Sequence, residues 1–348
     1  MRRVIVINPL ESDDRTGMAR AAEGLAQVMP EGAVASRFNR WFRRINRLRP
    51  AMLRQFCRLF LAQLTPLFCP RDALLVFSSH HAPLWRTGRH AVIIHDLIAL
   101  RFPQQSRSQT RYYRRVLPRV LRAATRVVTI SEAMRGELTT TFPEISSTAV
   151  FVVPSYVSRL DDEPTAGTSL AERRRLGQLA FVGARYRHKN LTLVLRALCL
   201  PEAAELRMVV TGCLRGLWPE LAAFETAHRV EILDFASEAN LDRLYATSLA
   251  LVYPSLAEGQ GLPPLEAMRS GCPVICADIP VLRETCGEAA FYVDPGDASG
   301  LAALLGRIKS GALDEEMTRK IEMGRAQVGR FQVAATRARW IEFMESFS

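Results

Sequence analysis

The sequence predicts an α/β protein made of two doubly wound parallel sheets. Three observations predict it. Short Val/Ile-rich runs alternate with helical stretches through the first half, the alternation restarts in the second half, and a polar, small-residue segment lies between. A chain of 348 residues also suits two domains of ordinary size better than one core. The expected division is 1–160, then 161–330, then a closing helical segment over 331–348.

In the first half Val4–Asn8, Ala73–Ser78, Ala91–His95, Arg126–Ile130 and Val150–Pro154 read as strands. Helices fall between them, one over Met18–Met29 after Gly17 and one over Glu132–Phe142, where Ser131 can cap a free first-turn N–H. Arg159–Ser169, with Asp161, Asp162, Pro164 and Gly167, is the expected linker. Beyond it Leu179–Gly183, Leu206–Gly212, Val230–Leu233, Ser248–Tyr253 and Pro273–Ala277 form the second set of strands, and Ala334–Met344 the last helix.

Seven scattered cysteines give neither a disulfide framework nor a zinc signature, so a reducing compartment is expected. Met1–Asn8 holds only four apolar residues before Asn8, too few for a secretory leader, and reads as a first strand. No run of about twenty apolar residues occurs, so the expected location is cytoplasmic. The net charge of +11 is uneven: from Arg37 to Arg58 there are eight arginines and no acid. Trp41, Ile45, Leu48 and Met52 fall near helical spacing, Pro50 interrupts, and Leu53, Phe56, Phe60, Leu61 and Leu64 follow. A basic amphipathic stretch with interleaved aromatics is expected to lie on an anionic membrane surface, each arginine adding roughly 1 kcal/mol. The alternatives are a solvated helix or a nucleic-acid face, and no nucleic-acid module accompanies it.

The most informative segment is Pro254-Ser255-Leu256-Ala257-Glu258-Gly259-Gln260-Gly261-Leu262-Pro263-Pro264-Leu265-Glu266-Ala267-Met268. An apolar strand leads into a glycine-flanked loop carrying Glu258, then into a helix expected to start at Pro263, with Glu266 a turn inside and Gly271 as its stop. Free N–H groups and the positive end of the helix dipole face whatever fills the loop. An anion held there could also meet a carboxylate that accepts hydroxyls, a combination suited to a nucleotide sugar.

The string EGQGLPPLEAMRSGCPVICADIPVLRE, with Glu258 and Glu266 separated by seven residues, resembles the signature of family 4 of the retaining glycosyltransferases, which have the GT-B fold. The resemblance extends over nearly the whole chain, through VIIHDLIALRFP (from Val92), VVTISEAMRGEL (from Val127), FVVPSYV (from Phe151), LAFVGARYRHKN (from Leu179) and FYVDPGD (from Phe291). It implies two Rossmann-like domains facing a cleft, an acceptor-side domain first and a nucleotide-sugar-binding domain second, with the last helix crossing back toward the first.

The resemblance assigns residues as follows. Lys189, with Arg185 as a second cation, would stabilise the departing diphosphate; a solvated turn lysine is the alternative, and Arg187 shares the loop with Arg185. Glu258 would bind donor-sugar hydroxyls near the reacting carbon, and Glu266 both ribose hydroxyls, which two carboxylate oxygens accept well. Gly259, Gly261 and Leu262 would complete the donor loop, where a glycine lets backbone approach the ligand. His95, at the carboxyl end of a strand, would contact the donor sugar, a buried core histidine being the alternative. Gly17 would offer a backbone N–H to the diphosphate, a plain helix start being the alternative. His80, His81 and the loop Ser12-Asp13-Asp14 are weaker candidates for the acceptor. The family often carries an aromatic where Gln260 stands, a departure that bears on the packing of this loop.

No Asp-x-Asp triplet occurs, so neither metal nor cofactor is expected. No second carboxylate stands at a spacing for double displacement, and the resemblance implies front-face transfer with retention, the leaving phosphate drawing the acceptor proton. The expected function is hexosyl transfer, mannose from GDP-mannose first, to a lipid-linked oligosaccharide in bacterial surface polysaccharide or lipopolysaccharide synthesis, at the inner face of the plasma membrane. A GT-B enzyme using UDP-glucose or another nucleotide sugar with a soluble acceptor, or a catalytically silent binding protein, are the alternatives.

Overall fold

The computed structural model describes residues 4–10, 17–48, 51–145, 149–156, 158–163, 167–212, 215–233 and 236–347. The chain divides into two units, Met1–Asp161 with Phe331–Ser348, and Asp162–Arg330.

In the first unit, six strands, β1 (Val4–Ile7), β2 (Val34–Ala35), β3 (Leu74–Phe77), β4 (His90–Ile94), β5 (Arg126–Thr129) and β6 (Val150–Val152), form a parallel sheet ordered β2-β1-β3-β4-β5-β6. Five of these lie within a residue or two of the expected runs. β2 was not expected: two exposed residues on an edge carry no pattern to read. Helices cover both faces, which is why the strands are continuous apolar runs. Ile5, Ile7, Leu75, Phe77, Val92 and Ile94 enter one core layer; Val4, Val6, Leu74, Val76, Ala91 and Ile93 enter the other, the two-residue period of a strand. The helix Val333–Glu345 adds Trp340 and Phe343 to the second layer, beside Leu25 and Val28 of the helix Gly17–Val28. Gly24 of that helix lies so close to the backbone after β6 that a Cβ would sit 2.3 Å from the Tyr156 carbonyl oxygen. Ser131 caps the helix Glu132–Thr141, its hydroxyl accepting from Met134 N–H at 3.1 Å.

The arginine-rich stretch forms two helices, Asn39–Asn46 and Ala51–Leu64, with Pro50 outside the described residues. The first of these helices turns a polar and aromatic face inward. Asn39, Phe42 and Asn46 are buried, whereas Trp41 is 56% exposed and Ile45 and Leu48 are only half-buried. Phe42 supplies the core contact, and Trp41 stays outside with the Arg44 guanidinium 5.2 Å from its ring. On the second helix Leu53, Phe56 and Phe60 are exposed, and the two phenylalanine rings stack with centroids 6.4 Å apart.

The second unit repeats the design with β7 (Gln178–Val182), β8 (Arg207–Thr211), β9 (Val230–Leu233), β10 (Ala250–Tyr253), β11 (Val274–Ala277) and β12 (Phe291–Val293), all parallel, ordered β9-β8-β7-β10-β11-β12. β12, a three-residue edge strand, was not counted from sequence. The order reverses between β7 and β10. In open α/β sheets ligands bind outside the carboxyl ends of strands at such a switch point. The segment expected as a linker is not uniformly loose: Arg159 and Leu160 are buried in the first unit, and Ser169 caps the helix Leu170–Leu176; residues 164–166 lie outside the described set.

Two glycine substitutions separate close packing from helix propensity. Gly24→Ala drives a Cβ into a backbone carbonyl and is expected to cost about 1–3 kcal/mol. Gly136→Ala, within a helix and with nothing within 4 Å of the new Cβ, should add about 0.4–1 kcal/mol. Urea unfolding of each variant checks both signs.

Candidate functional site

The loops leaving β7, β10 and β12 meet at the carboxyl edge of the second sheet. After β7 the chain turns at Gly183 (φ +86°), passes a short helical turn Arg187–Lys189, and reaches Asn190 in the left-handed region at φ 60°. Asparagine tolerates that conformation, and here its side chain rewards it. The Asn190 amide donates to the carbonyls of Pro254, 3.2 Å away in the loop after β10, and Pro295, 2.9 Å away in the loop after β12. The His188 carbonyl accepts from Leu256 N–H at 2.8 Å and from the Ser255 hydroxyl at 3.2 Å. This stapling delivers Lys189 to the β10 loop.

Lys189 Nζ donates to Glu258 Oε1 at 2.5 Å and to the Tyr253 hydroxyl at 2.6 Å, and lies 4.7 Å from the centre of the Tyr253 ring. Tyr253 is the last residue of β10 and fully buried. Burial, with the nearby Glu258 charge, pushes its phenol well above the ordinary range, so it stays a neutral hydroxyl. Its oxygen accepts from Lys189, leaving its own hydrogen for the carboxylate, so the three groups close a ring. Burial alone would raise the Glu258 carboxyl, but the Lys189 ammonium, together with His188 and the Ser255 hydroxyl, more than offsets it and the group sits below its usual range. The site thus holds an ionised carboxylate and an ammonium ion at low exposure, 9% and 13%.

Glu266 sits a turn inside the helix Leu262–Arg269, fully buried, and accepts from the Tyr245 hydroxyl at 3.4 Å. The helix starts at Leu262, so Pro263 is its second residue rather than its first, where a proline still removes only an unpaired N–H. Gly261 precedes it at φ +103°, a conformation that only glycine adopts readily; a Cβ would also reach within 2.8 Å of Leu282. The loop between the glutamates is braced from behind: Thr285 Oγ1 donates to the Gln260 carbonyl at 2.6 Å, and Gln327 Nε2 donates to the Thr285 carbonyl at 2.8 Å. Gly271, in the left-handed region, ends the helix with its N–H on the Met268 carbonyl.

Lys189, Glu258, Gly259, Gly261, Leu262 and Glu266 therefore fall on one connected loop-and-helix assembly. Arg185 is exposed in the β7 loop with no partner among the described residues, whereas Arg187 stacks over Trp218 at 5.8 Å. Tyr253 is the residue that the sequence reading passed over, because it ended an apolar run and was taken into the strand.

The first unit carries the remaining candidates. His95 directly follows β4 and is buried, its Nε2 2.8 Å from the Ser78 carbonyl oxygen. A carbonyl only accepts, so Nε2 holds the hydrogen and Nδ1 the lone pair. Burial lowers its pKa, keeping the ring neutral. A cavity of about 20 Å³, large enough for one water, lies under it, lined by Ser78, Ser155 and residues of the helix Gly17–Val28. Gly17 opens that helix; Ser12, Asp13 and Asp14 lie outside the described residues. His80 and His81 are buried with Tyr112 and Tyr113, whose hydroxyls meet the His80 carbonyl at 2.8 Å and its Nδ1 at 3.2 Å. His81 Nε2 is buried without a hydrogen-bond partner, and burial lowers the pKa of both rings, that of His80 to about 3. Among the described residues no group of three or more His, Cys, Asp or Glu side chains is arranged to hold a metal ion.

Two parallel doubly wound units, the second with a charged cluster at its switch point, define the GT-B fold. Solved structures of that fold superpose over nearly the whole chain: Anabaena HepE with UDP-glucose at a TM-score of 0.70, 17% identity, 99% of this chain and 100% of that one, and Thermosynechococcus elongatus sucrose-phosphate synthase at 0.70, 17%, 99% and 99%. Residues 162–326 of the chain match the family described as Glycosyl transferases group 1. Its relatives include the O-antigen chain mannosyltransferase RfbU of Salmonella typhimurium, 30% identical over 227 residues, and O-antigen chain mannosyltransferase B of Escherichia coli, 28% identical over 232. The matched regions span 64% and 63% of this chain but only 61% and 60% of those relatives.

His188, beside the pair, gives a pH signature. Burial, then the Lys189 charge, lowers its pKa from 6.5 to about 4. A histidine depressed on folding binds its proton in the unfolded chain first, so its neutral form costs nothing above pH 6.5 and destabilises progressively as pH falls to about 4. His188→Gln should flatten the decline of stability across that window relative to the parent, measured by urea midpoints at half-unit pH steps.

Proposed function

We propose that this protein is a metal-independent, retaining hexosyltransferase that moves mannose from GDP-mannose to a hydroxyl of a lipid-linked glycan in the assembly of a bacterial surface polysaccharide. The observation that carries this reading is the Lys189–Tyr253–Glu258 ring at the switch point of a group 1 glycosyl transferase domain, with Glu266 on the adjoining helix. An incoming diphosphate competes with Glu258 for the ammonium. When it takes Lys189, the freed carboxylate is left facing the sugar, where hydroxyls and the positive charge developing at the reacting carbon can replace the lost partner. Arg185 is the available second cation for the diphosphate, and Glu266 the acceptor for ribose hydroxyls. Gly259, Gly261 and Leu262 shape the donor loop; Gly17 and His95, in the first unit, are assigned to the diphosphate and the transferred sugar by the resemblance alone. The names of the O-antigen relatives support mannose and a polysaccharide product.

A second reading, UDP-glucose or another nucleotide sugar as donor, is favoured by the UDP-glucose bound in the HepE structure. Thermal-shift titration with GDP-mannose, UDP-glucose and ADP-glucose separates the two, since a ligand stabilises only the state it binds. GDP-mannose is expected to give the largest shift; a larger one with UDP-glucose overturns the donor assignment. With the winning donor, Lys189→Ala should lower turnover by about a hundredfold or more, as for loss of a preorganised donor to the transition state. Tyr253→Phe keeps the ring under the ammonium and removes one hydroxyl, so a loss of roughly tenfold is expected, the worth of a net hydrogen bond.

No helix among the described residues is long and apolar enough to cross a membrane. Association is instead proposed at the inner, anionic leaflet through the Arg37–Arg58 stretch, where Trp41, Leu53, Phe56 and Phe60 project into solvent among arginines. Phe56→Ser with Phe60→Ser should lower recovery with floating phosphatidylglycerol vesicles while leaving the melting temperature unchanged; equal recovery rejects the surface.

A further inference from the structure

A second arginine field lies elsewhere in the first unit. Between Asp96 and Glu132 the chain holds eight arginines and no acidic residue. Two of them, Arg119 and Arg122, stand three apart on the helix Leu117–Ala123 and share one face. Arg119 donates to the Arg115 carbonyl and Arg122 to the Pro118 carbonyl, contacts that orient each guanidinium without neutralising it.

The loop from β3 to β4 brings Trp85 and Arg86 to that face. Its path is fixed at both ends: Leu84 N–H donates to Gln63 Oε1 at 2.8 Å, and Thr125 Oγ1 donates to the carbonyl of Gly88, a residue at φ +83°. Leu84, Trp85, Arg86, Arg119, Arg122 and Ala123 bound an open depression of about 270 Å³. Trp85 is 41% exposed, and none of the three arginines meets a carboxylate among the described residues. Three like charges held together with no counter-ion repel one another, and the fold accepts that cost where an anion is bound.

We propose that this depression binds a phosphate group. Guanidinium forks match phosphate oxygens in bidentate fashion, and a partly exposed tryptophan ring packs against the carbon skeleton that carries the phosphate. The open depression admits a phosphate together with a glycerol-sized group. The depression lies at the amino-terminal edge of the first sheet, where β4 and β5 begin, and so at the opposite edge from His95. None of its lining residues is among those assigned to donor or acceptor. Gln63, which anchors Leu84, belongs to the same helix as the exposed Phe56 and Phe60. A phospholipid headgroup is thus the favoured source of the phosphate.

The test compares two charge-matched triple variants of the full chain, Arg86→Gln/Arg119→Gln/Arg122→Gln and the control Arg196→Gln/Arg207→Gln/Arg243→Gln, exposed arginines of the second unit. The first probe is co-sedimentation with phosphatidylcholine vesicles containing phosphatidylglycerol, and the second is tryptophan fluorescence titrated with sodium pyrophosphate, with Trp85→Phe identifying the responding ring. Loss of about tenfold or more in vesicle partition by the first variant, against less than about twofold by the control, supports the site with a lipid headgroup as ligand. Unchanged vesicle binding with loss of the Trp85 response to pyrophosphate supports the site with a soluble phosphate as ligand. Equal behaviour of the two triple variants with both probes overturns it. Neither probe requires a sugar donor, so that failure leaves the transferase reading standing.

Discussion

Withdrawing a carboxylate and an ammonium ion from water together is tolerable only when each supplies what the other has lost. Lys189 and Glu258 do this at the point where the second sheet reverses its strand order, and Tyr253 completes the arrangement by accepting from one and donating to the other. Much of the surrounding architecture exists to hold that geometry. The left-handed turn at Asn190 delivers the lysine, the Ser255 and Leu256 bonds to the His188 carbonyl fix the start of the glutamate loop, and Thr285 holds its middle. Deleting either ion leaves the other buried and uncompensated, which is more damaging than losing a surface pair. On the proposed reading, a diphosphate would enter by substituting for the carboxylate, so that binding and rearrangement of the cluster would be one event.

The strands of both sheets were legible because burial on two faces forces unbroken apolar runs, and Val4–Ile7 or Ala250–Tyr253 can hardly be anything else in an alternating chain. The edge strands Val34–Ala35 and Phe291–Val293 were not, since two or three residues carry no period. Glu258, Glu266 and Lys189 could be picked out because a glycine loop, a helix start and a lysine-asparagine turn each leave a local signature. Tyr253 could not: its ring satisfies the apolar pattern of a strand, and its hydroxyl gains its role from Lys189, 64 residues earlier in sequence. The inward face of the helix Asn39–Asn46 was likewise not legible. Phe42 and Trp41 are neighbours of similar hydropathy, and tertiary packing alone decided which was buried.

Cationic charge in the first unit is concentrated rather than spread. One field runs from Arg37 to Arg58 on two helices bearing exposed aromatics, and the other from Arg101 to Arg126, part of it gathered around Trp85. Interspersed acids would have neutralised such a surface at little cost to folding. Their omission over two separate stretches is what the proposed contacts with anions would require.

The Asn190 side chain has a consequence for any engineering of the carboxyl edge of the second sheet. By bonding to the Pro254 and Pro295 carbonyls it ties together segments that follow three different strands. A chimera that imports one of these segments from a paralogue would inherit a mismatched anchor on the other two. Exchange of these loops should therefore succeed only when all three are transplanted as a single cassette.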